Sequence, residues 1–590
     1  MVDKFGIARA LREIGMLLEL EGENPFKVRA YENGARALEA LAGDVAPVIQ
    51  SGRLLELPGI GEALARKIAD IHATGTTALL DRLRASYPAG TLELLQVPEL
   101  GPKKARALQQ ALGIANVAEL EKACLEGRVR GVKGFGEKTE QKILEGLRRM
   151  KARAADRRFL LADALAAGAA LLDHLRASPA VERAEVAGST RRFRETVADV
   201  DLVVASRSPA AVVEHFVAFP QAAEVLARGD SKTTVRLASG LQVDLRIVPP
   251  EDFATLLHHL TGSKAHHVKL RGIARDAGYT LSEWGLYRLP PPGVPPPPED
   301  TPPDPSSKVG IGSEEDLYAA LGLAYVPPEL REDSGELEAA RDRTLPSDLV
   351  TIGDVRGLVH CHTTWSDGRA SLEEMARAAE ALGVEYMTVT DHSRTAGYAG
   401  GLDEDRMKLQ WDEIARVQEK VKVRLLRGTE SDILDDGSLD YPDRILEELD
   451  VVVASVHSRH KMDEDQMTRR LVRCMKLPVF KIWGHALGRL LLDRDPFACR
   501  VEEVLDALAS SRGAVEVNGD PKRLELEPRW LRAATARGIP VVLSVDAHSI
   551  RDLGYLRYAV GVARRGWVRR GQVLNTLPLD RFKAAVRPVA

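Results

Sequence analysis

The chain has 590 residues, 44% of them apolar and 28% charged, with a formal net charge of −4. That length exceeds what one hydrophobic core supports and predicts three or four domains. The near-neutral balance excludes a whole-chain polyanion binder, so any basic surface must be local. Four cysteines, Cys124, Cys361, Cys474 and Cys499, form no CxxC pair, which predicts a reducing compartment. The start, MVDKFGIARA, lacks a signal peptide's apolar core, and no apolar run is long enough for a bilayer, so a cytoplasmic protein is expected.

Residues 1–150 read as mostly helical with short glycine-centred turns. Three turns share a pattern: LPGIGEALARKI from Leu57, VPELGPKKARAL from Val97 and VKGFGEKTEQKI from Val132. In each, a tight turn built on glycine (Gly59 and Gly61, Gly101, Gly134 and Gly136) runs directly into a helix. Glycine lets a backbone approach a ligand closely, and the free N–H groups of a new helix hold phosphate. Lysine accompanies every turn: Lys67, Lys103 and Lys104, Lys133 and Lys138. One copy could equally be a packing joint between helices, but three favour a grip on a phosphate backbone. The regional balance, 22 Lys/Arg against 20 Asp/Glu, does not decide it.

Residues 151–250 alternate helix and strand. Here lies GSTRRFRETVADVD, Gly188 to Asp201, followed by the β-branched run LVVA. On a strand, positions i and i+2 face the same way, so Asp199 and Asp201 point together, as a pair binding a hard cation must. Gly188, Ser189, Arg191 and Arg192 just upstream supply donors and charge for phosphate. QVDLRIV places Asp244 on a later strand, and three carboxylates on neighbouring strands suit two-metal phosphoryl transfer. Next, Thr261-Gly262-Ser263 forms a tight turn opening a helix with Lys264, His267, Lys269 and Arg271. The run LPPPGVPPPPEDTPPDP from Leu289 reads as an extended, solvated insertion.

Taken together, the hairpin turns, GSTRR, DVD, Asp244 and TGS resemble a family X DNA polymerase, the group that includes DNA polymerase beta, over residues 1 to about 335. The resemblance implies helix-hairpin-helix domains that grip DNA through Gly59, Gly61, Gly101, Lys103, Gly134 and Gly136. It implies Asp199, Asp201 and Asp244 as catalytic carboxylates holding Mg²⁺ or Mn²⁺, with Ser189 and Arg192, on the loop opened by Gly188, holding the triphosphate of an incoming dNTP. Thr261, Gly262 and Ser263 would line its sugar, and Arg271 would approach the template. His267 stands where relatives commonly have an asparagine against the incoming base, so nucleotide selection is expected to differ. Lys67 falls at the Schiff-base lysine of the animal enzyme's 5′-deoxyribose phosphate lyase, with Lys27 and Tyr31 near the matching phosphate pocket. A neighbouring pocket lysine is replaced by Ala63, so Lys67 reads equally as a lyase nucleophile or a DNA contact.

Residues 336–350 read as a helical linker. Beyond it, MTVTDH, VRLLRGTES, DVVVASVHS, PVFKIWGHA, GAVEVNG and PVVLSVDAH are apolar runs ending in ligand-type residues. Strands alternating with helices predict parallel β/α units, and polar strand ends predict a barrel with its site at that face. Seven of the 14 histidines follow residue 350, and six sit in the first strand or at later strand ends: His360, His362, His392, His457, His485 and His548. Asp367, Glu430 and Asp546 accompany them. Mixed imidazole and carboxylate ligands suit Zn²⁺ or Mn²⁺ better than Mg²⁺, and nine ligands are enough for three ions. His460 reads as a surface or substrate-contacting residue, and Cys361 as core. This half resembles the polymerase and histidinol phosphatase (PHP) domain, a metal-dependent phosphoesterase barrel, with all nine ligand positions filled. Leu358 or Val359 replaces a non-ligand aspartate of that family. A PHP domain after a family X polymerase is the bacterial and archaeal arrangement, here similar to the Deinococcus–Thermus type.

The expected architecture is therefore a helical DNA-binding and lyase-like domain (1–80), a helix-hairpin-helix duplex-binding domain (81–150), an α+β nucleotidyltransferase palm (151–250), a nucleotide-selection subdomain or thumb (251–335), the linker (336–350) and a PHP barrel (351–590). The expected function is a monomeric DNA-repair enzyme that adds dNTPs at gaps or nicks in double-stranded DNA and trims 3′ ends. The barrel would act as a 3′–5′ exonuclease, with 3′-phosphatase and abasic-site cleavage as further activities. Two other readings stand beside it. One is a DNA-binding nuclease whose polymerase half is feeble, which His267 favours. The other is a free histidinol-phosphate phosphatase, which leaves the hairpin repeats unexplained.

Overall fold

The computed structural model describes residues 4–40, 45–57, 59–87, 90–95, 97, 100–155, 157–290 and 304–588. Most of the Pro-rich run, 291–303, lies outside them, as do Pro58, Pro98 and Glu99 of two hairpin turns. The chain divides into two compact units, Met1–Arg157 and Arg158–Ala590.

The first unit is helical and has two cores. On the helix Lys4–Glu21, Ile7, Leu11, Ile14 and Leu18 recur at three- and four-residue spacing and form one buried stripe. That stripe packs with Leu38, Ile68, Ile71, Leu80 and Leu83. Leu100, Leu108, Leu120, Ile143 and Leu147 form the second core. Gly61 caps the helix Glu62–Thr74 and Gly101 caps Pro102–Leu112. The helix Glu137–Ala155 starts right after Gly136, whose carbonyl accepts from the Glu140 N–H at 3.0 Å.

The second unit opens with a five-stranded sheet in the order Arg183–Val186, Asp199–Ala205, Gln242–Val248, Lys232–Leu237, Ala222–Arg228. The central pair is parallel and the others antiparallel. Alternation along Asp199–Ala205 sends Val200, Leu202 and Val204 into the core with Phe216 and Leu175. The opposite set, Val203 and Ala205, packs on Phe253, Leu256 and Leu257. Asp199 and Asp201 share that second face and lie beyond its apolar cover. The helices Phe253–Thr261 and Lys264–Asp276 lead into the hairpin Tyr279–Ser282/Gly285–Arg288. Residues 336–350 contain the helix Glu336–Arg341, whose Leu337 and Ala340 join the core around Leu270, Leu286 and Tyr318.

The remainder is a closed parallel barrel of seven strands: Gly357–Cys361, Tyr386–Val389, Arg424–Asp432, Val451–Ser455, Lys481–Trp483, Gly513–Asn518 and Val541–Ala547. Val359, Leu426, Val453, Ile482 and Val542 fill its interior. The C-terminal helix Leu579–Val586 closes the end where the strands begin, with Phe582 stacked on Tyr386 at 4.6 Å between ring centroids. The other end is left for a site. Cys361 is fully buried among the hydrophobic residues around the barrel, and all four cysteines are free thiols.

Barrel and sheet meet within this unit. The Phe193 ring packs so closely on Gly561 that a Cβ there would lie 2.0 Å from it. Arg565 Nη1 lies 2.7 Å from Glu195, and Arg564 Nε lies 2.7 Å from Glu329. No helix among the described residues is long and apolar enough to cross a membrane.

Candidate active sites

The palm site is built by strand register. Asp201 stands directly opposite Asp244 on the paired strand, and Asp199 precedes it by two residues on the same face. Thr234 donates to Asp244 Oδ1 at 2.5 Å and Gln242 to Oδ2 at 2.9 Å, so the third carboxylate is held by neighbours on its own sheet. Burial, then the charge of Asp199 and Asp244, pushes Asp201 up to about 7; burial and Asp244 raise Asp199. The nearest cation to Asp244 is Lys232, 4.0 Å away. Three converging oxygen ligands short of positive charge fit hard divalent ions. Gly188 has φ 63° and lies against this group: a Cβ there would come within 2.0 Å of Asp201 Oδ2.

The GSTRR loop meets the TGS turn. Arg191 donates to the buried Thr261 hydroxyl at 2.8 Å and is paired with Glu314 at 2.6 Å. Arg192 donates to the Thr261 carbonyl at 2.5 Å and to Glu332 at 3.0 Å. Gly262 sits 3.6 Å, measured from its ideal Cβ, from Arg192. Ser189 lies half-buried on the same loop, and Ser263 caps the helix that follows by accepting from the His266 N–H. His267 is buried, with Nε2 3.2 Å from Nδ1 of His259, and burial lowers it to about 3. Arg271 is exposed one turn further along that helix. The glutamates that hold the two arginines, Glu314 and Glu332, lie more than 120 residues downstream and carry no motif.

In the first unit, Gly61, Gly101, Gly134 and Gly136 border open space: among the described residues, nothing lies within 4 Å of a Cβ built on any of them. Gly59 meets only Asn33, at 3.5 Å. Their smallness is not demanded by internal packing, and only Gly59 and Gly134 need glycine for a positive φ. The side chain of Lys103 lies outside the described set. Lys67 Nζ donates to Ala63 O at 3.1 Å, and Lys27 is paired with Glu23 at 2.6 Å. Tyr31 is buried, which raises its hydroxyl. None of these contacts joins the three residues into one pocket.

The barrel site gathers all nine predicted ligands at the strand ends. Glu430 is its centre: His360 Nε2 lies 3.4 Å from Oε2, His362 Nε2 3.6 Å, and His392 Nδ1 2.9 Å. On Oε1, His457 approaches to 3.2 Å and His485 to 2.7 Å. Asp546 Oδ1 faces His360 and His362 at 3.6 and 3.5 Å. Asp367 draws His392 and His548 to 3.5 and 3.4 Å. Three overlapping groups bring their ligand atoms within 4.8 Å of one another: His362, Asp367, His392 and His548; His360, His362 and Glu430; His392, Glu430 and His457. His360 (φ 68°), His485 (φ 21°) and Asp546 (φ 45°) hold positive φ, a strain that clusters at functional sites.

Electrostatics test the fit. Burial would raise Glu430, yet the surrounding histidines hold it well below the usual carboxylate range. Against the opposing pull of burial, Glu430 and Asp432 lift His457 to about 10. Asp367 is brought down to about 2, burial being outweighed by His548 and its neighbours. Ring nitrogens of His360, His362, His392 and His485 and Glu430 Oε2 are buried without a hydrogen-bond partner. Buried polar atoms left unpaired in such a cluster fit divalent ions.

Four supporting residues escaped sequence reading. Glu516 accepts from His360 Nδ1 at 2.5 Å and from the His485 N–H, and Asp432 accepts from His457 Nδ1 at 2.6 Å. Asp391 accepts from Thr363 and Ser366, framing the loop that carries Asp367. Arg523 Nε lies 3.3 Å from Asp546 with its Nη1 buried and unpaired. Their one sequence signal was position, in or beside the same strand ends. His460 is half-buried, 6.1 Å from the Phe497 ring centroid.

Comparison with known proteins places the chain among characterised families. A helix-hairpin-helix domain matches residues 3–77, a SAM-like helix-hairpin-helix tandem 91–149, the DNA polymerase beta thumb 256–332 and the PHP domain 359–520. The DNA polymerase/3′-5′ exonuclease PolX of Bacillus subtilis is 35% identical over 587 residues, 99% of either chain. The chain belongs to the PolX family. In this PolX chain, polymerase-type and PHP-type modules share one polypeptide. A probable phosphatase of Thermoanaerobacter sp. (strain X514) is 29% identical over 230 residues, 37% of this chain and 89% of its own. A Leishmania infantum polymerase beta structure, in a ternary P/T complex, is 23% identical over 41% of this chain and 98% of its own, with a TM-score of 0.28.

Proposed function

We propose that this PolX enzyme fills short gaps in DNA and trims 3′ ends, at two separate sites, acting as a monomer on the bacterial nucleoid in the cytoplasm. The observation that carries the reading is a pair of ligand sets of different chemistry: Asp199, Asp201 and Asp244, which strand register puts on one face of the palm, and the imidazole and carboxylate groups that close on Glu430 in the barrel. The oxygen-only palm set suits Mg²⁺ or Mn²⁺, and the imidazole-rich set suits Mn²⁺ or Zn²⁺, three ions by its overlapping groups. When bound, such ions lower the pKa of an attacking oxygen and neutralise a leaving phosphate.

The protein's own groups supply the rest. Asp199, Asp201 and Asp244 would hold the ions that neutralise the triphosphate beside the primer 3′ end, and Gly188 keeps the space beside Asp201 clear. Ser189 and Arg192 hold the triphosphate. To do so, Arg192 exchanges Glu332 for the substrate's charge. The TGS turn, tied to Arg191 and Arg192 through Thr261, carries the sugar side. The open glycine turns hold the DNA backbone through their N–H groups, with Arg271 toward the template. In the barrel, Glu516 and Asp432 fix the ring orientations of His360 and His457. Arg523 is placed to hold the scissile phosphate. The same chemistry extends to 3′-phosphates and abasic sites.

Paired substitutions test the reading on a gapped duplex. Asp199→Ala with Asp201→Ala should abolish nucleotide addition and leave 3′–5′ digestion intact, and His360→Ala with His362→Ala should do the reverse. Loss of both activities by either folded variant would falsify the two-site model. A weak-polymerase reading draws on the pairing of Arg192 with Glu332 and the burial of His267. Incorporation with Mg²⁺ and then Mn²⁺ separates the two readings. Borohydride trapping of wild type and Lys67→Ala on a 5′-deoxyribose phosphate substrate tests the lyase role of Lys67.

A further inference from the structure

Beside the barrel site lies a cavity of about 540 Å³ that the nine ligands do not touch. Five cationic side chains line it, Arg459, Lys461, Arg469, Arg470 and Arg473, against one carboxylate, Asp435. Gln466, Arg469 and Arg473 follow one another at three- and four-residue spacing along the helix Glu464–Met475, opposite the face that buries Met467, Leu471 and Cys474. A cationic stripe this dense, with so little to neutralise it, repels itself unless an anion sits there.

The floor of the cavity is rigid. Arg470 is buried, and its guanidinium donates to the carbonyls of Ile433 and Leu434 at 3.1 and 3.0 Å and to that of Ser458 at 3.0 Å. It thereby clamps together the two loops that follow the third and fourth barrel strands. Asp432, the last residue of the third strand, and His457, on the loop after the fourth, bond to each other at 2.6 Å beside the candidate metal ligands. Arg459 follows His457 by two residues, a chain span of at most about 7 Å, and lies 3.3 Å from Asp435. The cavity and the site are thus two sides of one pair of loops.

The lining also says what the ligand is. It has no aromatic side chain on which a base could stack, only charge, Gln466 and Met462. Such a surface reads phosphates and ignores sequence.

We propose that this cavity holds the phosphodiester backbone of a single DNA strand just upstream of the 3′-terminal nucleotide that the barrel removes; the inference rests on the exonuclease reading above. Lys461, Arg469 and Arg473, all exposed, make the contacts, and Arg470 supplies the floor.

The test uses the full chain carrying Lys461→Ala, Arg469→Ala and Arg473→Ala together. Three readouts are compared with wild type: digestion of a 5′-labelled single-stranded oligonucleotide at several salt concentrations, hydrolysis of bis(p-nitrophenyl) phosphate, and nucleotide addition. The expected result is a KM for the oligonucleotide raised about tenfold or more, with the slope of log KM against log salt reduced by about 2, since each single-strand phosphate contact is worth about 0.7. Turnover of the small ester, which is too short to reach the cavity, and nucleotide addition stay unchanged, which also certifies the fold. Unchanged KM and salt slope with normal small-ester turnover would overturn the inference alone and leave the cavity for an acidic protein. A fall in kcat at constant KM would overturn it too, by making the cations structural. A wild-type enzyme that cleaves the small ester and leaves the oligonucleotide whole would sink the exonuclease reading itself.

Discussion

The palm and the barrel solve the same problem, bringing charged ligands together, in opposite ways. In the palm, three carboxylates come from two hydrogen-bonded strands, and one register places them. In the barrel, nine candidate ligands come from the strand ends and the loops beyond them, and only closure of the sheet assembles them. Their electrostatics differ accordingly. In the palm, burial and then the neighbouring carboxylate charges raise Asp199 and push Asp201 up to about 7. Barrel ligands offset one another, with Asp367 near 2 and His457 near 10. The palm is a site where carboxylates outweigh the cations around them, suited to ions that arrive with a triphosphate. The barrel is balanced between imidazole and carboxylate, suited to ions that stay.

Substitutions can break or sharpen that contrast. The largest single effect is expected at Gly188→Ala, where the new Cβ must displace Asp201: nucleotide addition should fall by about 100-fold while exonuclease activity holds. Equal loss at both sites would mean the palm and barrel are not independent. Next comes Glu516→Ala, which frees the His360 ring; the barrel's divalent-ion affinity, measured by titration calorimetry, should drop about 10- to 100-fold. If metal content and affinity stayed at wild-type values, the orienting role of Glu516 would be wrong. Thr234→Val removes one hydrogen bond from Asp244, worth about 1 kcal/mol, so steady-state incorporation should slow roughly fivefold. Smallest in stability, Gly61→Ala with Gly136→Ala should shift unfolding by less than about 1 kcal/mol, as the sites are open, while weakening duplex binding severalfold in a filter assay. A large stability loss would return those turns to mere packing joints.

Much of this was legible because the residues announce themselves locally. Asp199 and Asp201 are two apart on one strand, and the barrel histidines follow apolar runs strand after strand. The unread part depends on long sequence separation. His360 and Glu516 are 156 residues apart, and Arg192 and Glu332 are 140 apart. Nothing near Glu516 says which histidine it will orient. His267 shows a second limit. Its position pointed to the incoming base, but whether its ring is open or packed on His259 depends on a neighbouring helix. Residues 336–350 show a third. Their helix was expected, but its burial beside Tyr318 follows from an apolar pair, Leu337 and Ala340, too short to read as a core stripe.

The seating of Phe193 on Gly561 has a consequence for anyone who would take the barrel apart from the sheet. A side chain at Gly561 would collide with the Phe193 ring and press on the loop between Ser189 and Asp199. A substitution on the outside of the barrel is thereby felt on the strand that carries the palm carboxylates, through the space of one missing methyl group.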